Sequence, residues 1–212
     1  MKETEGIVIS RIEQSPFTID DVIELMHESF EEHLDEGLHF TCSTMTAAQF
    51  LQKTRGSIVF VAWREGEQQL LGTATLTIRR DARNTPYGYN EYNAVSPKAK
   101  RLGIGTRLLR ERVCVVLSQG GQYILSDTAT AARSSVGYHL KNGFKIVGME
   151  SYPSTNYYSY LFRKQLRIPS IWNCNIYVRL RFLWSAFRCK SIKRANGEYT
   201  LLGRVLKRVK SI

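Results

Sequence analysis

The sequence predicts a mixed α/β (α+β) domain, a mostly antiparallel central sheet flanked by helices, followed by a basic helical C-terminal extension. Three observations carry this. Between Ser57 and Val95, three apolar runs rich in β-branched and aromatic residues follow one another with short polar turns between them, as in an antiparallel meander. On either side, apolar residues recur three and four apart, the period of amphipathic helices. Finally, residues 167–212 hold eleven Lys/Arg against one acid, Glu198, which is +10 of the net +11, whereas the other 166 residues hold nineteen basic and eighteen acidic side chains. A near-neutral body, residues 1–166, is therefore expected to carry a strongly cationic extension, residues 167–212.

Composition sets wider bounds. With 212 residues, 43% of them apolar and 11% aromatic, the chain can bury a core. Cys42, Cys114, Cys174 and Cys189 form no CxxC pair and no metal-ligand spacing, so neither a disulfide framework nor a zinc site is expected. His27, His33 and His39 also lack a ligand spacing, and no metal is expected. The first thirty residues carry acids and no apolar segment, and no run approaches the ~18 apolar residues of a spanning helix. A cytoplasmic protein is the expectation.

Taken in order, Gly6 to Ile12 opens the chain as a strand. Thr18 then caps a helix with Asp20 and Asp21 in its first turn and Val22, Leu25, Met26, Phe30 and Leu34 as its apolar stripe. Ser43 or Thr44 caps a second helix running through Phe50 and Leu51. Ser57–Trp63 and Leu70–Ile78 are strands bracketing the turn Glu65-Gly66-Glu67. Asp81 to Pro86 turns the chain again, and Tyr87–Val95 completes the meander. Ile104, Leu108, Leu109, Val113 and Val116 mark the next helix, which Gly120-Gly121 ends. Tyr123–Thr128 is a strand, and Ala129–Lys141 a helix with Ala132, Val136 and Leu140 on one face and Asn142-Gly143 at its end. Phe144–Met149 and Tyr157–Phe162 are the last strands, joined by Pro153-Ser154-Thr155-Asn156.

The stretch from Asn93 to Leu109 organises the rest. A strand ends at Pro97, which cannot donate to a ladder, and Gly103 and Gly105 stand where the following helix begins. Without side chains there, the first N–H groups of the helix face open space with the positive dipole end behind them, which suits a phosphate or diphosphate. Lys98, Lys100 and Arg101 add positive charge. A dinucleotide fingerprint would need glycine where Leu108 stands, and a P-loop would need Gly-Lys-Ser/Thr, so both of those readings fall away.

Val95-Ser96-Pro97, followed by Lys100-Arg101-Leu102-Gly103-Ile104-Gly105 and Leu108-Leu109, resembles the acetyl-CoA signature of the GNAT N-acetyltransferase superfamily. There the pattern reads Arg/Gln-x-x-Gly-x-Gly/Ala; Lys100 keeps the cation and loses the forked donor. Lys141-Asn142-Gly143-Phe144 resembles the end of the family's second motif, although its usual Tyr, Asn and Ala places hold His139, Ala132 and Ser135. Together the two motifs and the strand order cover roughly residues 6–166. The resemblance implies acetyl-CoA as co-substrate, gripped by Lys100, Arg101, Leu102, Gly103, Ile104, Gly105 and Thr106. It also implies a main-chain oxyanion donor near Ala94 and Val95, and an acceptor pocket lined by the N-terminal helices.

Acyl transfer from a thioester to an amine also needs a base and a route for the thiolate to leave. By strand alternation, Tyr89, Glu91, Asn93 and Val95 fall on one face. The family commonly carries a Glu where Tyr89 stands. Glu91, one pleat closer, is the candidate base, acting through water, because a carboxylate in a cleft can be raised to ~6–7. A solvated Glu on a strand is the plainer reading of that residue. For the thiolate, the resemblance implies a proton donor at His139, with its ordinary pKa of ~6.5. Tyr138 points roughly 100° away around the helix, so at most one of the two faces the thioester. The alternative is a half-buried structural His139, with water assisting the thiolate.

In the extension, Ile171-Trp172, Ile176-Tyr177, Leu180, Leu183-Trp184 and Phe187 form an aromatic helical stripe near Arg179, Arg181 and Arg188. Tyr199, Leu202, Val205, Leu206 and Val209 form another beside Arg204, Lys207, Arg208 and Lys210. Such segments suit peripheral contact with an anionic membrane. Docking on the domain or on a second subunit, as a homodimer, is the rival; nucleic acid ranks last because no recognised module is present. The expected reaction is acetyl transfer to a primary amine of a small-molecule or glycan acceptor, such as an amino sugar or its lipid-linked form. A longer-chain acyltransferase and a catalytically silent CoA-binding or scaffold module are the alternatives.

Overall fold

The computed structural model describes residues 6–35, 38–153 and 155–166. The extension 167–212, with both of its stripes, lies outside the described residues, as do the side chains of His33 and Leu34. β1 (Ile7–Arg11) is followed by α1 (Ile19–Asp35), α2 (Ala47–Lys53), β2 (Ile58–Arg64), β3 (Leu70–Arg80) and β4 (Pro86–Val95). Then come α3 (Ile104–Ser118), β5 (Tyr123–Ala129), α4 (Arg133–Lys141), β6 (Lys145–Ser151) and β7 (Tyr158–Gln165). The strands make one seven-stranded sheet in the order β1-β2-β3-β4-β5-β7-β6, antiparallel throughout except between β4 and β5.

Strand alternation divides the core in two. Phe60 of β2 joins Leu76, Ile124 and Phe162 under Ile104, Leu108, Leu109 and Val116 of α3. Val59 and Val61, the intervening residues of the same strand, turn to the other face and meet Val22, Leu25 and Met26 of α1 and Phe50 of α2.

Two sequence expectations are corrected. α2 is capped by Thr46, whose hydroxyl accepts from the Gln49 N–H at 3.3 Å while Gln49 Oε1 accepts from the Thr46 N–H at 2.9 Å. Ser43 ends a short 3₁₀ turn instead, and Thr44 follows it. The Thr-x-x-Gln spacing of a capping box was the better signal. On α4, Leu140 is 51% exposed and His139 is buried with Ala132. Two steps of four residues drift by about 80° around a helix, so the stripe returns to the core at His139 and carries Leu140 into solvent.

At the junction of β4 with β5, Gly88 has no room for a side chain. A Cβ there would lie 2.5 Å from Val116 Cγ2 and 2.9 Å from Leu76 Cδ1, whereas a Cβ at Gly137 in α4 would meet nothing within 4 Å. Gly88→Ala is therefore expected to destabilise the fold by about 1–3 kcal/mol through overpacking. Gly137→Ala should stabilise it by up to about 1 kcal/mol through helix propensity. Urea midpoints of the two variants check both signs.

Candidate active site

β4 and β5 pair only at Gly88–Ile124, Tyr89–Leu125 and Asn90–Ser126. Beyond these, β4 continues on β3 to Val95 and β5 continues on β7 to Ala129, so the two parallel strands part and leave a cleft between their C-terminal ends. The parting coincides with a bulge. Thr75 pairs with Glu91 and Thr73 with Ala94, so Ala74 alone opposes Tyr92 and Asn93. Tyr92 takes φ 50°, a left-handed conformation that a Cβ makes costly.

The bulge corrects the expected alternation. Tyr89 and Glu91 stay on the α1–α2 side, joined there by Tyr92, which packs on Phe50 at 5.5 Å between ring centroids. Asn93 turns to the other side, where its Oδ1 accepts from Arg112 of α3, and Val95 packs into the α3 core. The Ser96 N–H donates to Leu71 O on β3 at 2.9 Å. Successive N–H groups of a strand point to opposite edges, so the Val95 N–H is directed away from β3, toward the cleft.

One end of the cleft is built for an anion. Gly103 caps α3 with φ 73°, no side chain caps that terminus, and nothing lies within 4 Å of where a Cβ would be. Ile104 is buried in the core, so it offers the turn only its backbone. Lys100 and Arg101 are exposed beside it, Arg101 also left-handed at φ 72°. A Cβ at Gly105 would come within 3.1 Å of the Tyr138 ring.

The other end is aromatic and acidic. Phe30, Phe40 and Tyr157 stack in sequence, with centroids 5.2 and 4.8 Å apart. The His39 N–H donates to Asn156 Oδ1 at 3.0 Å and ties the segment after α1 to the β6–β7 turn. Glu91 Oε2 accepts from Arg79 at 3.2 Å, and Asp127 Oδ1 accepts from the Tyr89 hydroxyl at 3.0 Å. Burial raises the pKa of Glu91, Arg79 opposes the rise, and the Asp127 charge adds to it. Asp127 is raised by burial too, against the Tyr89 hydrogen bond. Burial pushes the Cys42 thiol up to about 12, which rules it out as a thiolate nucleophile near neutrality. A cavity of about 890 Å³ joins both ends and is lined by Glu91, Val95, Gly103, Asp127, Tyr138 and Tyr157 among others.

The structure separates the two candidate acids. His139 is 3% exposed and stacked on Phe162 at 4.5 Å. Its Nδ1 lies 2.8 Å from Ser135 O, a contact that requires Nδ1 to donate, and its Nε2 lies 3.0 Å from Ser126 Oγ. Burial lowers its pKa, and the ring is a neutral, hydrogen-bonded part of the core. Its burial and two hydrogen bonds support the alternative reading of His139, a structural residue, over that of a proton donor to the thiolate. Tyr138 is the one that reaches the mouth of α3: its hydroxyl donates to Gly105 O at 2.9 Å and accepts from Arg112.

Sequence reasoning missed Asp127 and Arg112. Asp127 interrupts an apolar strand run, which was a signal in plain view. Arg112 sits on the helical face of Leu108, Leu109 and Val116, where a cation has no packing reason to be. Among the described residues no group of three His, Cys, Asp or Glu side chains could hold a metal ion, and no helix is long and apolar enough to cross a membrane.

The fold recurs in solved structures. A putative GNAT acetyltransferase from Desulfovibrio desulfuricans has 15% identity and a TM-score of 0.58, covering 76% of this chain and 99% of that one. An aminoglycoside 6'-acetyltransferase type Ii has 18% identity and a TM-score of 0.57, covering 76% and 98%. A NatC complex bound to Gag peptide and CoA has 12% identity and a TM-score of 0.59, covering 76% and 99%. At these identities the likeness is one of fold. Comparison with curated proteins gives no sequence match. The model of the Acetyltransferase (GNAT) family matches residues 19–144, a span that holds both walls of the cleft and the turn at its mouth, and the chain belongs to that family.

Proposed function

We propose that this acetyltransferase moves the acetyl group of acetyl-CoA onto a primary amine that enters the cleft from the α1–α2 side. The observation that carries the reading is the uncapped first turn of α3, opened by Gly103 at the mouth of the parted strands. Acetyl-CoA, when bound, supplies the activated acyl group and a thiolate leaving group. The N–H groups of Ile104, Gly105 and Thr106 would donate to its diphosphate, with the helix dipole behind them and Lys100 and Arg101 adding charge. Ala94 and Val95 border the path into the cleft, whereas Leu102, the other residue expected there, packs against the core; the Val95 N–H is directed to where an acyl oxygen would gain charge.

Glu91 is the proposed base. An amine must lose its proton before it can attack, and a carboxylate raised above its ordinary range accepts one at higher pH than a solvated acid does. Asp127, on the opposite wall, keeps Glu91 raised and gives an incoming ammonium a second anionic contact. Among acceptors, an amino sugar suits this end: the rings of Tyr92 and Tyr157 line the cavity against its C–H surface and the two carboxylates would face its ammonium. A lipid-linked form and peripheral membrane contact would draw on residues 167–212.

Four outcomes test this. Calorimetry should give binding of CoA to the protein, with Gly103→Val weakening it about tenfold or more, because a β-branched residue resists positive φ and its side chain fills the anion's place. In thiol-release assays with acetyl-CoA and an amine panel, Glu91→Gln should lose about 10²-fold or more in kcat. Asp127→Asn should instead move the acid limb of the pH profile to lower pH, since removing a neighbouring negative charge lowers the Glu91 pKa. A reversed pattern would assign the base to Asp127. Protein of residues 1–212 should float with anionic liposomes and residues 1–166 should not; equal flotation removes the membrane contact.

A further inference from the structure

Arg112 is the largest fully buried side chain among the described residues, 1% exposed, in the middle of α3. Its Nε donates to Leu108 O at 3.2 Å, its Nη1 donates to Asn93 Oδ1 on β4, and the guanidinium also pairs with the Tyr138 hydroxyl on α4. Among the described residues no carboxylate lies within 4.0 Å of it. A buried cation whose partners are all neutral recovers only part of its desolvation cost through their hydrogen bonds, and its neighbours on the same face are aliphatic. It spans the floor of the cleft, one wall held through Asn93 and the other through Tyr138.

We propose that Arg112 is a positioning residue for departure of the thiolate, acting through Tyr138: its charge, hydrogen-bonded but paired with no carboxylate among the described residues, holds the phenol at the cleft floor and stabilises the negative charge left there. The inference rests on the acetyl-transfer reading. In the step, the amine nitrogen's lone pair forms the C–N bond and the C–S bond breaks, leaving its electron pair on sulfur. The Tyr138 hydroxyl proton passes to that sulfur and gives the free thiol. The electron pair left on Tyr138 Oη lies beside the Arg112 guanidinium. A proton shed by the amine on the Glu91 side returns to Tyr138 through solvent. The titratable neighbour of the pair is His139 on α4, neutral in the core; Asn93 of β4 and Gly105 O of α3 carry no charge. Burial raises the Tyr138 pKa and Arg112 opposes that rise.

Arg112→Met fills the same space without the charge, and Arg112→Gln keeps part of the hydrogen bonding should the Met variant fail to fold. In either, the Tyr138 resonance of ¹³Cζ-tyrosine-labelled protein, assigned by its loss in Tyr138→Phe, should titrate at higher pH than in the unsubstituted protein. With acetyl-CoA and the best amine of the panel, kcat should fall about tenfold or more while the KM for acetyl-CoA stays within about twofold, the pattern of an interaction made only as the reaction proceeds. The basic limb of the kcat profile should move up in pH. Arg112→Lys should restore part of kcat, and Tyr138→Phe should lose both the rate and the basic limb. A folded neutral variant with unchanged Tyr138 titration and unchanged kcat overturns the proposal. If no amine is acetylated by any variant, the acetyl-transfer reading fails, and the Tyr138 titration still decides whether Arg112 governs that phenol.

Discussion

The site depends on the brevity of one strand pairing. β4 and β5 are the parallel pair of the sheet and share three residue pairs before they part. Gly88 lets α3 press onto that short junction, since any larger residue would collide with Val116. Past Asn90 the bulge at Tyr92 bends β4 away from β5, at a backbone cost of about 1–3 kcal/mol for a left-handed tyrosine. Packing of the same ring on Phe50 offsets that cost. The conformation persists because the α2 side of the core holds it, and the result is a permanent opening in an otherwise continuous sheet.

That opening has opposite electrostatics at its two ends. At the start of α3 the uncapped amides and the exposed Lys100 and Arg101 favour an anion. On the α1–α2 side Glu91 and Asp127 favour a cation, and burial on both walls keeps water from screening them fully. In the proposed reaction a polyanionic donor and an ammonium acceptor would be drawn to different mouths of one cavity and meet where the strands part. The same burial that raises the two carboxylates brings one of them closer to the pH at which an amine must give up its proton.

The elements and the open glycine turn before α3 were legible in the sequence because both depend on local signals. Alternation, helical period and two glycines before a helix need no knowledge of distant residues. The bulge was not legible, since Tyr92 in a left-handed conformation is stabilised by Phe50, forty-two positions away. Missing it put Asn93 and Val95 on the wrong face. Asp127 and Arg112 each break an apolar pattern in the sequence, but what they do could not be read there, because Tyr89, Asn93 and Tyr138, their partners, lie on other elements.

Counting positions back from Gly143 singles out His139, but a count specifies spacing and chemistry needs direction. α4 must bury one face on β5 and β7, and packing gives that face to His139, between Ser126, Ser135 and Phe162. Tyr138 is then rotated toward the mouth of α3. The two neighbours also respond differently to the same buried cation. Burial lowers the His139 pKa and the Arg112 charge lowers it further, which keeps the imidazole neutral. For Tyr138, burial disfavours the phenolate and Arg112 favours it. A neutral imidazole has no proton to spare for a thiolate, whereas a phenol beside a guanidinium can release its proton and keep the resulting charge close to a counter-ion. A cation in that position is the reason for proposing Tyr138, and not His139, as the group that protonates the leaving sulfur.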